Sequence, residues 1–279
     1  ATRDVAMTPD GSELYFSVTA GASAVIMVTR QVDGRWTEPQ VAPFSGRFLD
    51  IEPTISPDGR RFFFLSTRPQ AHQEPREGWV YQDIWVMDRE GGGWGEPTNL
   101  GPPVNTEAPE YYPSVTADGS LYFTREGADG VSATYRSRLV DGAYGEPELM
   151  PPQLNCGTNR ANVFVAPDES FAIVPTMGRK DGLGGFDYFV TFRSADDRWS
   201  EPVNLGPAVN RPEGREWSAS LSPDGRYLFF MSSRQTSSAA VVLAGRTITE
   251  LLTASLEPGQ GASAIWWVSS EVIAALRPN

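Results

Sequence analysis

Polar side chains, most of them ionisable, stand at two fixed distances before a turn sequence that occurs five times in this chain. Their types and spacing could do chemistry, because neighbouring carboxylates can serve as a general acid and a base or nucleophile. Carboxylates interleaved with guanidinium groups can instead bind a polar ligand or a cation. Six residues before the turn stand Thr2, Asp50, Glu110, Arg160 and Glu216. Four residues before it stand Asp4, Glu52, Tyr112, Asn162 and Ser218.

The turn sequence is Ser-Pro-Asp-Gly or a close variant, and it predicts a β-hairpin. Proline presets φ, and glycine takes a positive φ without steric cost. An apolar run that predicts a strand follows each copy, as in Phe62-Phe63-Phe64. The copies are residues 8–11, 56–59, 116–119, 166–169 and 222–225.

A second repeat, Trp-x-Glu-Pro and its Tyr variant, runs in phase with the first and begins at Trp36, Trp94, Tyr144 and Trp199. Short strands repeated about every 50 residues are typical of a β-propeller with one four-stranded blade per repeat. The sequence therefore predicts an all-β, five-bladed β-propeller with four-stranded antiparallel blades. We expect one domain, residues 1–279, because each blade buries its faces only against its neighbours. The blades are expected at about 1–49, 50–106, 107–157, 158–211 and 212–279.

The last of these blades is predicted to be irregular, because it has no Trp-x-Glu-Pro sequence and contains the long connection Gln235–Gly261. Within that connection, Ile248–Leu252 could form a helical turn. Ala264–Val268 predicts a strand, and Ser270–Leu276 predicts a terminal helix with a serine N-cap. We expect fewer than four regular strands in this blade, with the C-terminus packed nearby.

The composition excludes several classes of function. A net charge of −12 and a pI near 4.6 argue against nucleic acid and anionic membranes as partners. The only cysteine and the only histidine argue against a zinc site or a Ser-His-Asp triad, so neither a metal nor a cofactor is predicted. We do not expect the protein to insert into a membrane, and we expect it to be a monomer. The chain begins at Ala1 without Met, which we interpret as a mature or trimmed N-terminus.

The chain resembles the TolB-type β-propellers, the SPDG-repeat relatives of the WD-repeat propellers, and in particular their stand-alone, exported bacterial members. The residues that carry the resemblance are Asp50–Arg68, Asp83–Val86 and Trp94–Gly101. The resemblance implies a periplasmic or secreted protein. It also implies a binding platform for proteins, peptidoglycan or glycans, or a non-catalytic part of a peptidase. Ala133 and Ala264 stand where the family favours aspartate, which indicates drift or specialisation in blades three and five.

Inner strands of a propeller begin on one face, here called the top, and converge on its axis. The repeated turns then lie at the bottom, where their aspartates are expected only to build turns. Loops between second and third strands add His72, Arg179, Lys180 and Asp181 to the rim of the top face. The candidate ligand-binding residues are Asp4, Asp50, Glu52, Arg68, Glu110, Tyr112, Arg125, Arg160, Asn162, Glu216 and Arg234.

Three interpretations of this polar ring stay open from the sequence. The groups could pair with one another and fasten the blades, or they could form a pocket for a small polar ligand or a partner protein. They could also catalyse a reaction, as in a glycoside hydrolase, a lyase or a specialised-metabolism enzyme on this scaffold. The binding interpretation is the leading hypothesis, and whether the protein is an enzyme stays open. The acids available for catalysis are Asp4, Asp50, Glu52, Glu110 and Glu216.

Overall fold

The computed structural model describes residues 1–234 and 263–278. The predicted connection Gln235–Gly261, with its helical turn at Ile248–Leu252, lies outside the described residues. Antiparallel sheets surround one axis, and their innermost strands pack against one another there. This arrangement confirms the predicted all-β, five-bladed propeller.

The first three blades contain sixteen strands. Blade one has β1 (Thr2–Met7), β2 (Glu13–Ala20), β3 (Ser23–Val32), β4 (Arg35–Trp36) and β5 (Gln40–Val41). Blade two has β6 (Asp50–Ile55), β7 (Arg61–Ser66), β8 (Asp83–Glu90), β9 (Gly93–Trp94) and β10 (Thr98–Asn99). Blade three has β11 (Glu110–Val115), β12 (Leu121–Glu126), β13 (Ser132–Ser137), β14 (Leu139–Val140), β15 (Ala143–Tyr144) and β16 (Glu148–Leu149).

Blade four has β17 (Asn159–Arg160), β18 (Phe164–Val165), β19 (Phe171–Met177), β20 (Asp187–Phe192) and β21 (Val203–Asn204). Blade five has, in the described residues, β22 (Glu216–Leu221), β23 (Tyr227–Ser232) and β24 (Ala264–Ser269), followed by α1 (Glu271–Ala274).

The outer strand of a typical blade is broken into two short pieces. In blade one β4 and β5 both pair with β3, and in blade two β9 and β10 both pair with β8. The break falls at the Glu-Pro of the Trp-x-Glu-Pro repeat. Proline lacks the N–H that a continuous ladder needs, so the repeat marks an interrupted outer strand.

Every inner strand is interrupted at the same position. Its register shifts in β1, β6, β11 and β22, and in blade four the strand divides into β17 and β18. The residue at the interruption adopts a left-handed backbone conformation, with φ between 52° and 62°. A non-glycine residue there costs about 1–3 kcal/mol, so five such residues need tertiary support. They are Asp4, Glu52, Tyr112, Asn162 and Ser218.

Apolar side chains fill the junctions between neighbouring blades. Four buried clusters occupy the junctions from blade one to blade five in chain order. In the first, the Phe62 ring has its centroid 4.9 Å from that of Tyr15 and 5.2 Å from that of Trp94. Edge-to-face packing of this kind stabilises the pair beyond the area it buries. Trp94 and Trp199 of the outer repeat therefore pack between blades, whereas Trp36 is exposed.

Blade five has a three-stranded sheet in the described residues, which agrees with the predicted irregularity. Its terminal helix α1 is one turn long, shorter than the predicted Ser270–Leu276. The Ser270 hydroxyl donates to the Gly225 carbonyl at 2.6 Å instead of capping the helix. Ile273 packs into the cluster between blades four and five. The ring continues to blade one through the Thr2 N–H, which donates to the Ser263 carbonyl at 3.1 Å.

The repeated turns are held by their aspartates, as the sequence predicts. The Ser56 hydroxyl donates to Asp58 at 2.6 Å, and the same carboxylate oxygen accepts the Arg60 N–H at 3.0 Å. Blade four differs, because Glu169 takes the glycine position with φ 55°. Its carboxylate accepts the Tyr122 hydroxyl at 2.5 Å and pairs with Arg136 of blade three and Arg193 of blade four. Glu169 therefore links blades three and four.

Candidate functional site

A hydrogen-bonded group of side chains closes the propeller axis. We call it the axial plug, and it consists of the five left-handed inner-strand residues together with Arg3. Nε of Arg3 donates to Asp4 at 2.8 Å, and Nη2 donates to Glu52 at 2.8 Å. Nη2 also reaches the Ser218 hydroxyl at 3.3 Å. One guanidinium group thus connects blades one, two and five.

Glu52 lies at the centre of the axial plug. Besides Arg3, its carboxylate accepts the Tyr112 N–H at 2.8 Å and the Asn162 amide at 3.3 Å. Burial raises the pKa of Glu52 to about 7; Arg3 opposes this shift and Asp4 adds to it. The Tyr112 hydroxyl donates across the axis to the Ala219 carbonyl at 2.7 Å. All five blades therefore contribute a side chain to one network.

A cavity of about 340 Å³ opens above the axial plug. We call it the top cavity. Its volume is within the range of about 300–1,000 Å³ that is usual for small-molecule sites. Arg3, Glu52 and Asn162 of the axial plug lie at its base. Its other lining residues are mostly aromatic or apolar: Ile51, Leu65, Trp79, Gln82, Tyr111, Glu126, Ala161, Phe186 and Trp217.

Two of the aromatic walls are tied to the protein through their polar atoms. The Tyr111 hydroxyl shares a hydrogen bond of 2.7 Å with the Ser132 hydroxyl. Nε1 of Trp217 contacts Sδ of Met231 at 2.8 Å, and its ring lies edge-on to Phe186 with centroids 5.4 Å apart. Because these polar atoms are engaged inside the protein, the rings offer a ligand mainly their carbon surface.

The charges around the top cavity are predominantly negative. Glu126 lines it and is half-buried, and none of the described residues donates to its carboxylate. Burial raises the pKa of Tyr111; its hydrogen bond with Ser132 opposes the shift, and the carboxylates of Glu52 and Glu126 add to it. Among the described residues that line the cavity, Arg3 is the basic one, and it is already paired with two carboxylates.

The predicted acids at the heads of the inner strands are buried inside their own blades. Asp50 accepts the Ser66 hydroxyl at 2.6 Å and Nη2 of Arg68 at 2.9 Å. Burial raises the pKa of Asp50, and Arg68 opposes the shift. The Arg68 guanidinium lies 4.9 Å from the ring centroid of Phe64 and 5.2 Å from that of Trp85. This unit fastens the first, second and third strands of blade two together.

Blade five repeats the same unit. Glu216 accepts the Ser232 hydroxyl at 2.6 Å and lies 3.7 Å from Nη2 of Arg234. The Arg234 guanidinium lies 4.9 Å from the ring centroid of Phe230 and 5.2 Å from that of Trp266. Burial raises the pKa of Glu216 to about 7 against the opposing effects of Ser232 and Arg234.

Blade three has a variant of this unit, and blade four replaces it. Glu110 pairs with Nε of Arg125 at 2.7 Å and accepts the Thr106 hydroxyl at 2.6 Å. Burial raises the pKa of Glu110, with Thr106 opposing the shift most strongly. Arg160 donates to the Ser132 carbonyl at 3.1 Å and the Gly157 carbonyl at 2.9 Å, which links blades three and four.

The structure thus divides the eleven candidate residues into two groups. Four belong to the axial plug, and two of these, Glu52 and Asn162, also line the top cavity. The other seven lie away from its lining: Asp50, Arg68, Glu110, Arg125, Arg160, Glu216 and Arg234.

Sequence reasoning missed the residues five positions before the turn, all of which line the top cavity. Side chains alternate along a strand, so the neighbour of a residue buried in the blade points away from the blade. The left-handed residue that follows then breaks the alternation and also lies at the axis. The turn alignment alone could not assign these faces, because the register shift lies between the turn and these residues. These five residues are Arg3, Ile51, Tyr111, Ala161 and Trp217.

A second cavity, of about 440 Å³, lies at the bottom of the axis. Prolines and apolar residues of the repeated turns and inner-strand ends line much of it, among them Pro9, Pro57, Pro167 and Pro223. Beside the axial plug lies a small void of about 30 Å³. Within residues 1–234 and 263–278, no group of three acidic, histidine or cysteine side chains is placed to hold a metal ion.

Comparisons with known proteins identify the fold. No protein-family model matches the chain, and no curated protein sequence matches it significantly. TolB from Acinetobacter baumannii superposes with a TM-score of 0.51 at 17% identity, over 82% of this chain and 48% of that one. A TolB-like protein from Agrobacterium tumefaciens gives 0.53 at 16% identity, over 83% of this chain and 70% of that one.

This chain spans about half the length of the Acinetobacter protein. At such low identity the likeness concerns the arrangement of the chain and no individual side chain. It nevertheless supports the propeller architecture of the structure, so the chain has a β-propeller fold of the TolB type, and its own sheets form five blades.

Proposed function

We propose that this protein is a binding protein that takes a small polar ligand into the top cavity. The observation that carries the proposal is a cavity with aromatic walls above a base of fixed charges. The axial plug supports that base, because its members come from all five blades and satisfy one another. A preorganised base of this kind keeps the ordering cost of binding low.

The arrangement of the acids favours binding over hydrolysis. A glycosidase needs two carboxyl groups across an open cavity, about 5–10 Å apart. Asp50, Glu110 and Glu216 are buried and engaged within their own blades. Glu52 and Glu126 both line the top cavity, but Arg3, Tyr112 and Asn162 already engage the Glu52 carboxylate, which leaves Glu126 as the one unengaged acid among the described lining residues.

We place the protein in the periplasm or outside the cell, as the sequence resemblance implies. In the described part of the chain, no helix is long and apolar enough to cross a membrane.

A ligand screen with matched tryptophan variants tests the proposal. Small polar compounds, grouped by charge, are screened by ligand-observed NMR, and the hits are then measured by calorimetry. Trp217→Ala removes one wall of the top cavity, whereas Trp267→Ala removes a tryptophan that is 65% exposed on the outside of blade five. Hits should bind the wild type and the Trp267→Ala variant equally and should bind the Trp217→Ala variant at least about tenfold more weakly.

The proposal is overturned if no compound binds, or if the hits bind both variants equally well. Thermal melting of the two variants shows whether the loss of binding comes from unfolding. If Trp217→Ala does not fold, Phe186→Leu changes the same cavity with a smaller change of volume.

A further inference from the structure

We propose that the ligand of the top cavity is a small organic cation, one that carries a quaternary or protonated ammonium group. This inference rests on the proposed function, because it names the chemical class of the ligand for the same cavity. Three observations on the described lining residues carry it: the aromatic walls, the excess of carboxylates, and the scarcity of unengaged hydrogen-bonding groups.

Four aromatic side chains line the cavity: Trp79, Tyr111, Phe186 and Trp217. Ring faces attract cations through the ring quadrupole, and tryptophan does so most strongly. Tyr111 and Trp217 already use their polar atoms in contacts with Ser132 and Met231. What these two rings present is therefore π-surface, which is the surface that an ammonium group recognises.

The charged side chains around the top cavity also favour a cation as the ligand. Among the described residues of the top cavity and its base, there is one basic side chain, Arg3, and there are three acidic ones, Asp4, Glu52 and Glu126. Arg3 is compensated by Asp4 and Glu52, so the charge of Glu126 is in excess. Among the described residues, no basic side chain pairs with Glu126, since its neighbour Arg125 is bound to Glu110. A cation beside Glu126 would neutralise this carboxylate, whereas an anion would be repelled by it.

A neutral polyhydroxylated ligand fits the cavity less well. Such a ligand needs several unengaged donors and acceptors, because each hydroxyl that enters must exchange its bonds to water. The Asn162 amide already donates to Glu52 and Ser218. The lining groups left for a ligand are mainly Glu126, Gln82 and Nη1 of Arg3, for which the described residues provide no acceptor. These are few for a sugar, but they suffice for an ammonium group with one further polar substituent.

Choline and its uncharged carbon analogue, 3,3-dimethylbutan-1-ol, give the sharpest test, because they share a shape and differ in charge. Affinities are measured by calorimetry on the full chain, and tetramethylammonium and spermidine extend the panel. We expect choline to bind at least about tenfold more tightly than the neutral analogue. The choline affinity should also fall as salt is raised to about 0.5 M, while that of the analogue should not.

Two substitutions locate the charge that matters. Glu126→Gln should weaken choline binding severalfold and leave the neutral analogue unchanged. Glu201→Gln is the matched control, because it removes an equal charge from an exposed position on the outside of blade four and should change neither affinity.

The inference is overturned if the neutral analogue binds as tightly as choline, or if Glu126→Gln and Glu201→Gln behave alike. It is also overturned if no cation of the panel binds while a neutral or anionic compound of the wider screen occupies the top cavity. In those cases the proposed binding function stands, and either the ligand class or the carboxylate assigned to recognise it is wrong. Failure of every compound to bind would instead overturn the proposed function.

Discussion

An asparagine from the loop that ends each of blades two, three and four clamps the third strand of the same blade. In blade four, Oδ1 of Asn210 accepts the Tyr188 N–H at 2.8 Å. Its Nδ2 donates to the Tyr188 carbonyl at 2.9 Å and to Oδ1 of Asn204 at 2.9 Å. Asn105 makes the same three bonds in blade two, and Asn155 makes a similar set in blade three. We therefore predict that Asn210→Ala strongly destabilises the fold.

The magnitude follows from the groups that lose their partners. The substitution leaves the buried N–H of Tyr188 without a partner, and such a group costs about 1–3 kcal/mol. The Tyr188 carbonyl still accepts the Leu205 N–H at 3.1 Å. Asn210 is fully buried, so water cannot readily replace the amide. We expect Asn210→Ala to lower the free energy of unfolding by about 1–3 kcal/mol. Asn155→Ala should cost less, because Asn155 is half-exposed and water can reach its partners.

Urea unfolding followed by tryptophan fluorescence measures these differences, and the melting temperature should fall by about 2–4 °C per kcal/mol. Asn210→Asp is a useful companion, since it keeps the acceptor for the Tyr188 N–H and loses both donors. The reasoning is refuted if Asn210→Ala stays within about 0.5 kcal/mol of the wild type, or if Asn155→Ala is the more damaging substitution.

Three further outcomes are expected. The pKa of Glu216 is raised from 4.5 to about 7 in the folded protein, so ionisation of this carboxyl group destabilises the fold. The free energy of unfolding should therefore rise by up to about 3 kcal/mol as the pH falls from about 7 to 4.5. Glu216→Gln should reduce this rise in urea titrations, and an unchanged pH profile would contradict the assignment. Glu110→Gln should lower the free energy of unfolding by about 2 kcal/mol, because it breaks the buried pair with Arg125. Both Glu110→Gln and Arg160→Ala should keep ligand binding, because neither residue lines the top cavity. Loss of binding at an unchanged melting temperature would make these two residues part of the site. Hydrogen exchange should be faster in blade five than in blades two to four, and uniform protection across the blades would count against this prediction.

The repeat makes the fold of this chain predictable at the level of blades. Turn chemistry and the apolar runs after it are local properties, so Ser56–Gly59 and Phe62–Phe64 predict a hairpin without knowledge of its neighbours. Five copies then leave few architectures other than a propeller. The length of the terminal helix was less predictable, because the Ser270 hydroxyl bonds to a distant carbonyl, that of Gly225, instead of capping the helix.

The sequence by itself also determined which residues head the inner strands and that their charges are mixed. Only the tertiary structure decided which of them reach the axis. The left-handed residue in each inner strand shifts the register, and a shift of one residue exchanges the faces of a strand. As a result Asp50 turns into its own blade towards Arg68, while Arg3, Tyr111 and Trp217 line the top cavity. The pairing of each acid depends on partners that lie far away in the chain, which is why the chemistry of the site emerged only from the assembled ring.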